Sequence, residues 1–156
     1  MILNKLDGFK KIHVIDFGGV SGSLVAHILN SPLNKKFELE VSVINSPPII
    51  KFGVDAFLDP PNVRFFEQEN ADIKSISDMF KLENIATLLN VSSVLQYIPN
   101  YKEFLATLLE QTQPLIVTIT RVPRCENANN NAFAIQNVTT LLGVCGYTVV
   151  NLFGKD

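Results

Sequence analysis

Cysteine is scarce in this chain. Cys125 and Cys145 are the only two among 156 residues, and they stand twenty positions apart. That spacing matches no metal-ligand pattern, so no metal site is expected. Two isolated thiols fit a reducing, cytoplasmic setting better than a disulfide framework. Charge is sparse as well. Charged residues make up 18% and the formal net charge is −2, which leaves no basic footprint for nucleic acid. No apolar run reaches the length of a membrane span. The N-terminal residues lack the long apolar core of a signal peptide. Repeats and low-complexity tracts are missing too, and Asn129-Asn130-Asn131 reads as a polar loop. What the chain has in quantity is apolar residues, 47% of the total, enough for one domain with a substantial core.

The stretch from Ile12 to Ala26 organises the rest. Ile12, His13, Val14 and Ile15 read as a buried strand that ends at Asp16. Phe17-Gly18-Gly19-Val20-Ser21-Gly22 is a glycine-rich turn, and Ser23-Leu24-Val25-Ala26 opens an amphipathic helix. A strand, a tight turn and a helix start form a ligand site in open α/β sheets, because glycine lets the backbone approach a bound molecule. The free N–H groups of a helix start suit polar or anionic groups. Glycines at 18, 19 and 22 do not fit the dinucleotide pattern G-x-G-x-x-G.

Further along, Phe37–Ile44 alternates and then turns apolar, as a second strand would. Prolines at 47 and 48 precede a helix over Ile49–Leu58, where a missing N–H matters least. Asp59-Pro60-Pro61-Asn62 is a turn before a short strand, Val63–Phe66. Asn70–Phe80 reads as a helix with Ile73, Ile76 and Phe80 inward. Ile85–Val94 is a fourth strand running into a loop. Asn100 is placed to cap the next helix, with Glu103 three residues on. Leu115–Ile119 is continuous and apolar, like a central parallel strand. Phe133–Leu142 reads as another helix, and Thr148–Phe153 as a last strand. His13 is expected to be a satisfied core residue, and His27 a solvated one. Alternating strands and helices predict a parallel sheet whose order reverses beside the first strand, with the ligand crevice over the first and fourth strands.

The turn at Asp16-Phe17-Gly18-Gly19, together with the order of elements from Ile12 to about Pro123, resembles class I S-adenosylmethionine (SAM)-dependent methyltransferases. Within that superfamily, three stretches resemble a bacterial group of methyltransferases linked to surface-polysaccharide genes. They are Val14-Ile15-Asp16-Phe17-Gly18-Gly19, Ser92-Ser93-Val94-Leu95-Gln96-Tyr97-Ile98-Pro99 and Arg121-Val122-Pro123. The resemblance implies one SAM-methyltransferase-like domain over residues 1–156, either a minimal member or a piece of a longer protein. Its fold would be a Rossmann-like three-layer α/β/α sandwich with a mostly parallel sheet and no seventh strand. SAM would lie on Asp16, Gly18, Gly19 and Gly22, with Asn45 near the ribose and Glu67 near the adenine. Gln96 and Tyr97 would face the methyl group, and Arg121 would pair with an anionic substrate.

The chain departs from that family at three points. Val20 replaces a glycine, Asn45 stands where the family has an acid, and Thr87 is nearest to a usual Asp. A neutral Asn45 binds ribose hydroxyls more weakly than a carboxylate. The implied function is methyl transfer to a small-molecule or saccharide acceptor. The departures favour an alternative, a non-catalytic methyltransferase-like binding module. A nicotinamide-dependent dehydrogenase is a third class, opposed by the glycine spacing and by the missing acid at Asn45. An incompletely covered sheet edge predicts a homo-oligomer contact near Tyr147–Phe153.

Overall fold

The fold is that of a computed structural model, which describes residues 3–19, 23–57, 61–79, 84–120, 132–139 and 145–152, with side chains over 5–19, 24–55, 61–79 and 84–120. Five parallel strands form the main sheet: β1 (Lys11–Phe17), β2 (Glu38–Asn45), β3 (Val63–Glu67), β4 (Ile85–Ser92) and β5 (Ile116–Thr120). Their order is β3-β2-β1-β4-β5, so the chain reverses direction across the sheet between β1 and β4. The expected placement of the first, second, fourth and fifth strands is met.

Helices cover both faces, as a parallel sheet requires. Ile12 and Val14 of β1 pack with Leu39, Val41 and Val43 of β2 beneath helix α1 (Ser23–Leu29), the single turn α2 (Leu33–Lys36) and helix α3 (Pro47–Phe57). On the other face, Ile15 and Phe17 pack with Leu89 and Val91 of β4 against helices α4 (Ile73–Asp78) and α5 (Tyr101–Thr112). β1 is therefore buried on both sides, which is why its sequence is almost continuously apolar. Prolines 47 and 48 open α3, where their missing N–H groups break no helical bond.

Local signals differ from the structure in three places. Asn100 stands at the start of α5, but its side chain makes no capping bond. The cap with a side-chain bond is Asp72, which accepts from the Ser75 N–H and starts α4 later than expected. The largest difference lies at the C-terminal end. Of the segment expected as a helix over Phe133–Leu142, residues 133–139 belong to strand β6 (Ala132–Thr139), and 140–142 lie outside the described residues. The strand pairs antiparallel with β7 (Cys145–Leu152) in a separate two-stranded sheet. Helix propensity in Ala-Phe-Ala-Ile-Gln-Asn-Val-Thr is weak, and a full-length partner strand nearby outweighs it. β7 thus pairs with β6 rather than extending the parallel sheet, and it passes beside the 3-10 turn Leu95–Tyr97.

His13 lies fully buried on the α4 face, where its Nε2 is 2.9 Å from Ser42 Oγ. Burial lowers its pKa from 6.5 to about 3, and the positive charges of Arg64 and Lys11 act in the same direction. The folded state therefore holds a neutral imidazole that the unfolded chain would protonate. This contribution to stability is complete above the unfolded pKa and is lost as pH falls from about 6.5 towards 3. Urea denaturation at pH 7 and pH 4.5 is expected to show lower stability at the acid value, and His13→Gln should flatten that difference. A separate check on the core is Leu89→Ala, expected to cost about 2–5 kcal/mol because Leu89 is buried at the sheet centre.

Candidate functional site

The carboxyl ends of β1, β2 and β4 converge on the glycine turn. Gly18 has φ +79°, a conformation that disfavours any side chain. Its N–H donates to Ile44 O of β2 at 2.9 Å. A β-carbon at Gly18 would sit 2.5 Å from Ser92 O and 2.7 Å from Val94 Cβ. The loop after β1 is thus pressed against the loop after β4, as the topology predicts for a switch-point crevice. At Gly19 a β-carbon would collide with the carboxylate of Asp16. Glycine at 18 is needed for backbone conformation and close approach, whereas glycine at 19 leaves room for a neighbouring side chain.

Asp16 is 0% exposed. Its Oδ1 accepts from Asn90 Nδ2 at 2.7 Å, a contact across 74 residues of sequence. Its Oδ2 is buried without a hydrogen-bond partner. Burial raises the pKa of this carboxyl, and the Asn90 donor partly offsets that rise. Asn90 Oδ1 in turn accepts from Thr118 Oγ1 at 2.7 Å. Asp16, Asn90 and Thr118 occupy the same register level on β1, β4 and β5.

Asn45 ends β2, and its role in the structure is more specific than its place in the sequence suggests. Its Nδ2 donates to Gly19 O at 2.7 Å, while its Oδ1 accepts from the Ser46 N–H at 2.7 Å. The amide thus ties the turn to β2, a task that a carboxylate at the same place cannot perform because it has no proton to donate. Glu67 pairs in register with Asn45 at the end of β3, is exposed, and accepts from Asn70 Nδ2 at 3.1 Å. Gln96 lies in the 3-10 turn after β4, 6% exposed, with its Oε1 buried and unpartnered. Tyr97 beside it is 42% exposed.

Asp16, Gly18, Gly19 and Asn45 therefore form one connected cluster. Glu67 adjoins it on β3, and the loop carrying Gln96 and Tyr97 adjoins it at Val94. Gly22 and Arg121 lie outside the described residues, as does Val20. Asn90 and Thr118 escaped the sequence reading. The signal was a single amide inside the apolar run Ile85–Val91, level with a strand-ending Asp. Among the described residues no group of His, Cys, Asp and Glu could hold a metal ion. No described helix is long and apolar enough to cross a membrane.

Strand order, the crevice at the reversal and the glycine turn define a Rossmann-like α/β fold. Among solved structures, LepI in complex with SAM superposes with a TM-score of 0.50 at 12% identity, over 96% of this chain and 46% of that one. A LepI variant in complex with SAH and a substrate analogue gives 0.48 at 12% identity, over 97% and 46%. A structure described as a pericyclic reaction enzyme gives 0.46 at 12% identity, over 94% and 44%. The chain spans less than half the length of these structures, and at such identity the likeness is one of fold. No protein-family model matches the chain, and no curated protein matches it.

Two variants test the local geometry. Asn45→Asp would set a carboxylate against Gly19 O and should lower stability by about 1–3 kcal/mol in urea denaturation at neutral pH. Asp16 acts in the opposite sense to His13. Its folded pKa is raised, so its favourable contribution is present below 3.8 and is lost as pH rises through the folded value. Asp16→Asn should therefore raise the urea midpoint at pH 7, because it removes a buried charge while keeping an oxygen for Asn90.

Proposed function

We propose that this chain binds SAM or S-adenosylhomocysteine (SAH) over the β1–β4 crevice and forms the cofactor-binding part of a methyltransferase. The observation that carries this reading is the seat of the turn. Gly18 is wedged against Ser92 and Val94, and Gly19 lies directly over the Asp16 carboxylate. That brings a glycine-lined backbone and an unpartnered carboxylate oxygen together at the point where strand order reverses. A fold neighbour complexed with SAM supports the same cofactor.

The residues fit that ligand in kind. Asp16 Oδ2 is an acceptor without a donor, suited to an ammonium group. Asn45 and Glu67, paired at the ends of β2 and β3, offer polar groups to the ribose and adenine. Gln96 and Tyr97 stand on the loop that meets the turn, where they would shape the space around the methyl group. Arg121, and Gly22 in the turn, complete the proposed set, with Arg121 pairing with an anionic part of the acceptor. SAM supplies an already activated methyl group, so the chain needs mainly to align donor and acceptor rather than to move protons. The proposed acceptor is a small molecule or saccharide.

Titration calorimetry of the whole chain with SAM, SAH and NAD tests this. Saturable binding of SAM and SAH below millimolar concentration, with none for NAD, is the expected result. Glu67→Ala should weaken binding roughly tenfold without loss of fold, since Glu67 is exposed at its strand end. Failure of the wild-type chain to bind either SAM or SAH sinks the reading. Binding without methyl transfer to any acceptor would instead make the chain a binding module.

A further inference from the structure

Thr118, Asn90 and Asp16 form a hydrogen-bonded row across three adjacent strands on the α1 face of the sheet. The residues that flank it on the groove side are apolar. Asn90 and Thr118 line a groove of about 180 Å³ whose other walls include Leu24, Ile28, Leu88 and Ile116. An amide and a hydroxyl in such a lining call for a reason beyond packing. The row also has a direction. An ionised Asp16 only accepts, so Asn90 must turn its Nδ2 towards it. Asn90 Oδ1 is then left facing β5, where only a donor satisfies it, and Thr118 Oγ1 supplies one at 2.7 Å. Asp16 therefore fixes which way the Asn90 amide points, and Thr118 satisfies the amide oxygen that this leaves over. Asn90 fixes which oxygen of Asp16 is occupied. The other oxygen, Oδ2, is left free in the space beside Gly19.

We infer that Thr118 and Asn90 are positioning residues for the cofactor turn, acting through Asp16, and that the Thr118 hydroxyl holds the Asn90 amide in place from its far side. The inference rests on the SAM-binding reading for its functional consequence, but the row itself is a property of the unliganded chain. If the Thr118 hydroxyl were lost, Asn90 Oδ1 would lose its donor and the amide would be held from one side only. A less firmly held Asn90 donor stabilises the ionised carboxyl less and so favours its protonated form. Among the described residues, burial and the Asn90 hydrogen bond are what move this carboxyl, with no charged group contributing. Val43 is its register neighbour on β2, and Asn90 is its partner on β4.

The test compares Thr118→Val with Thr118→Ser in the full chain. Thr118 is exposed on an outer strand, and Val is close to its shape, so both variants should fold. Carboxyl carbon NMR titration of Asp16 is the first readout and needs no ligand. Thr118→Val should move the Asp16 midpoint upwards by roughly half a pH unit or more, and Thr118→Ser should leave it at the wild-type value. SAH affinity by calorimetry is the second readout. It should fall several-fold in Thr118→Val and return in Thr118→Ser. An unmoved titration in Thr118→Val overturns the row, and so does an equal shift in both variants. A shifted titration with unchanged SAH affinity overturns its link to the cofactor turn. If the wild-type chain binds no SAH, the SAM reading falls, and the titration still decides the row.

Discussion

The carboxyl of Asp16 under Gly19 is the constraint on which the rest of the site depends. A buried carboxylate is costly unless polar partners meet it, and its own desolvation raises its pKa. Placing it at the end of the most buried strand commits β4 to carry Asn90 at the same level. It also commits the turn to glycine at 19, because the carboxylate occupies the space of a side chain there. The position of the turn then follows. Gly18 must take a positive φ to pass between Ile44 O and the β4 loop, and Asn45 ties the next carbonyl back to β2.

This arrangement separates two kinds of buried polar group. His13 and Ser42 meet on the α4 face and keep a neutral imidazole inside the core, which stabilises the fold above acid pH. Asp16, on the α1 face of the same strand, is held with an oxygen unsatisfied. A protein selected only for stability gains nothing from that oxygen. Its presence beside a glycine turn, at the reversal of strand order, is what the proposed cofactor site is built on.

Legibility of the fold from the sequence was high wherever burial on both faces wrote itself into the chain. The run from Ile12 to Phe17 is apolar because both faces of β1 are covered, and the same holds for Leu39–Ile44. Strand order followed from the alternation of strands with helices, since a parallel crossover needs a helix and packs with one hand. The region after β5 was less legible. Phe133–Leu142 carries apolar residues that fit a helical stripe or a strand about equally well. Only the partner β7 decides between them, through backbone bonds to residues that lie beyond the local window.

The site divides along the same line. By itself the sequence determined the glycine turn after a strand-ending Asp, because that backbone path needs those residue types in that local order. The sequence also marked the loop at Gln96 and Tyr97 as a candidate to meet it. It could not determine that Asn45 would spend its amide on Gly19 O, or that Asn90 and Thr118 would line up beside Asp16. Those contacts join strands 26, 74 and 28 residues apart in sequence, and they exist only once parallel register brings the strand ends level. Hydrogen bonds act over about 3 Å, so their partners are chosen by the tertiary path of the chain and leave no periodic trace within any one segment.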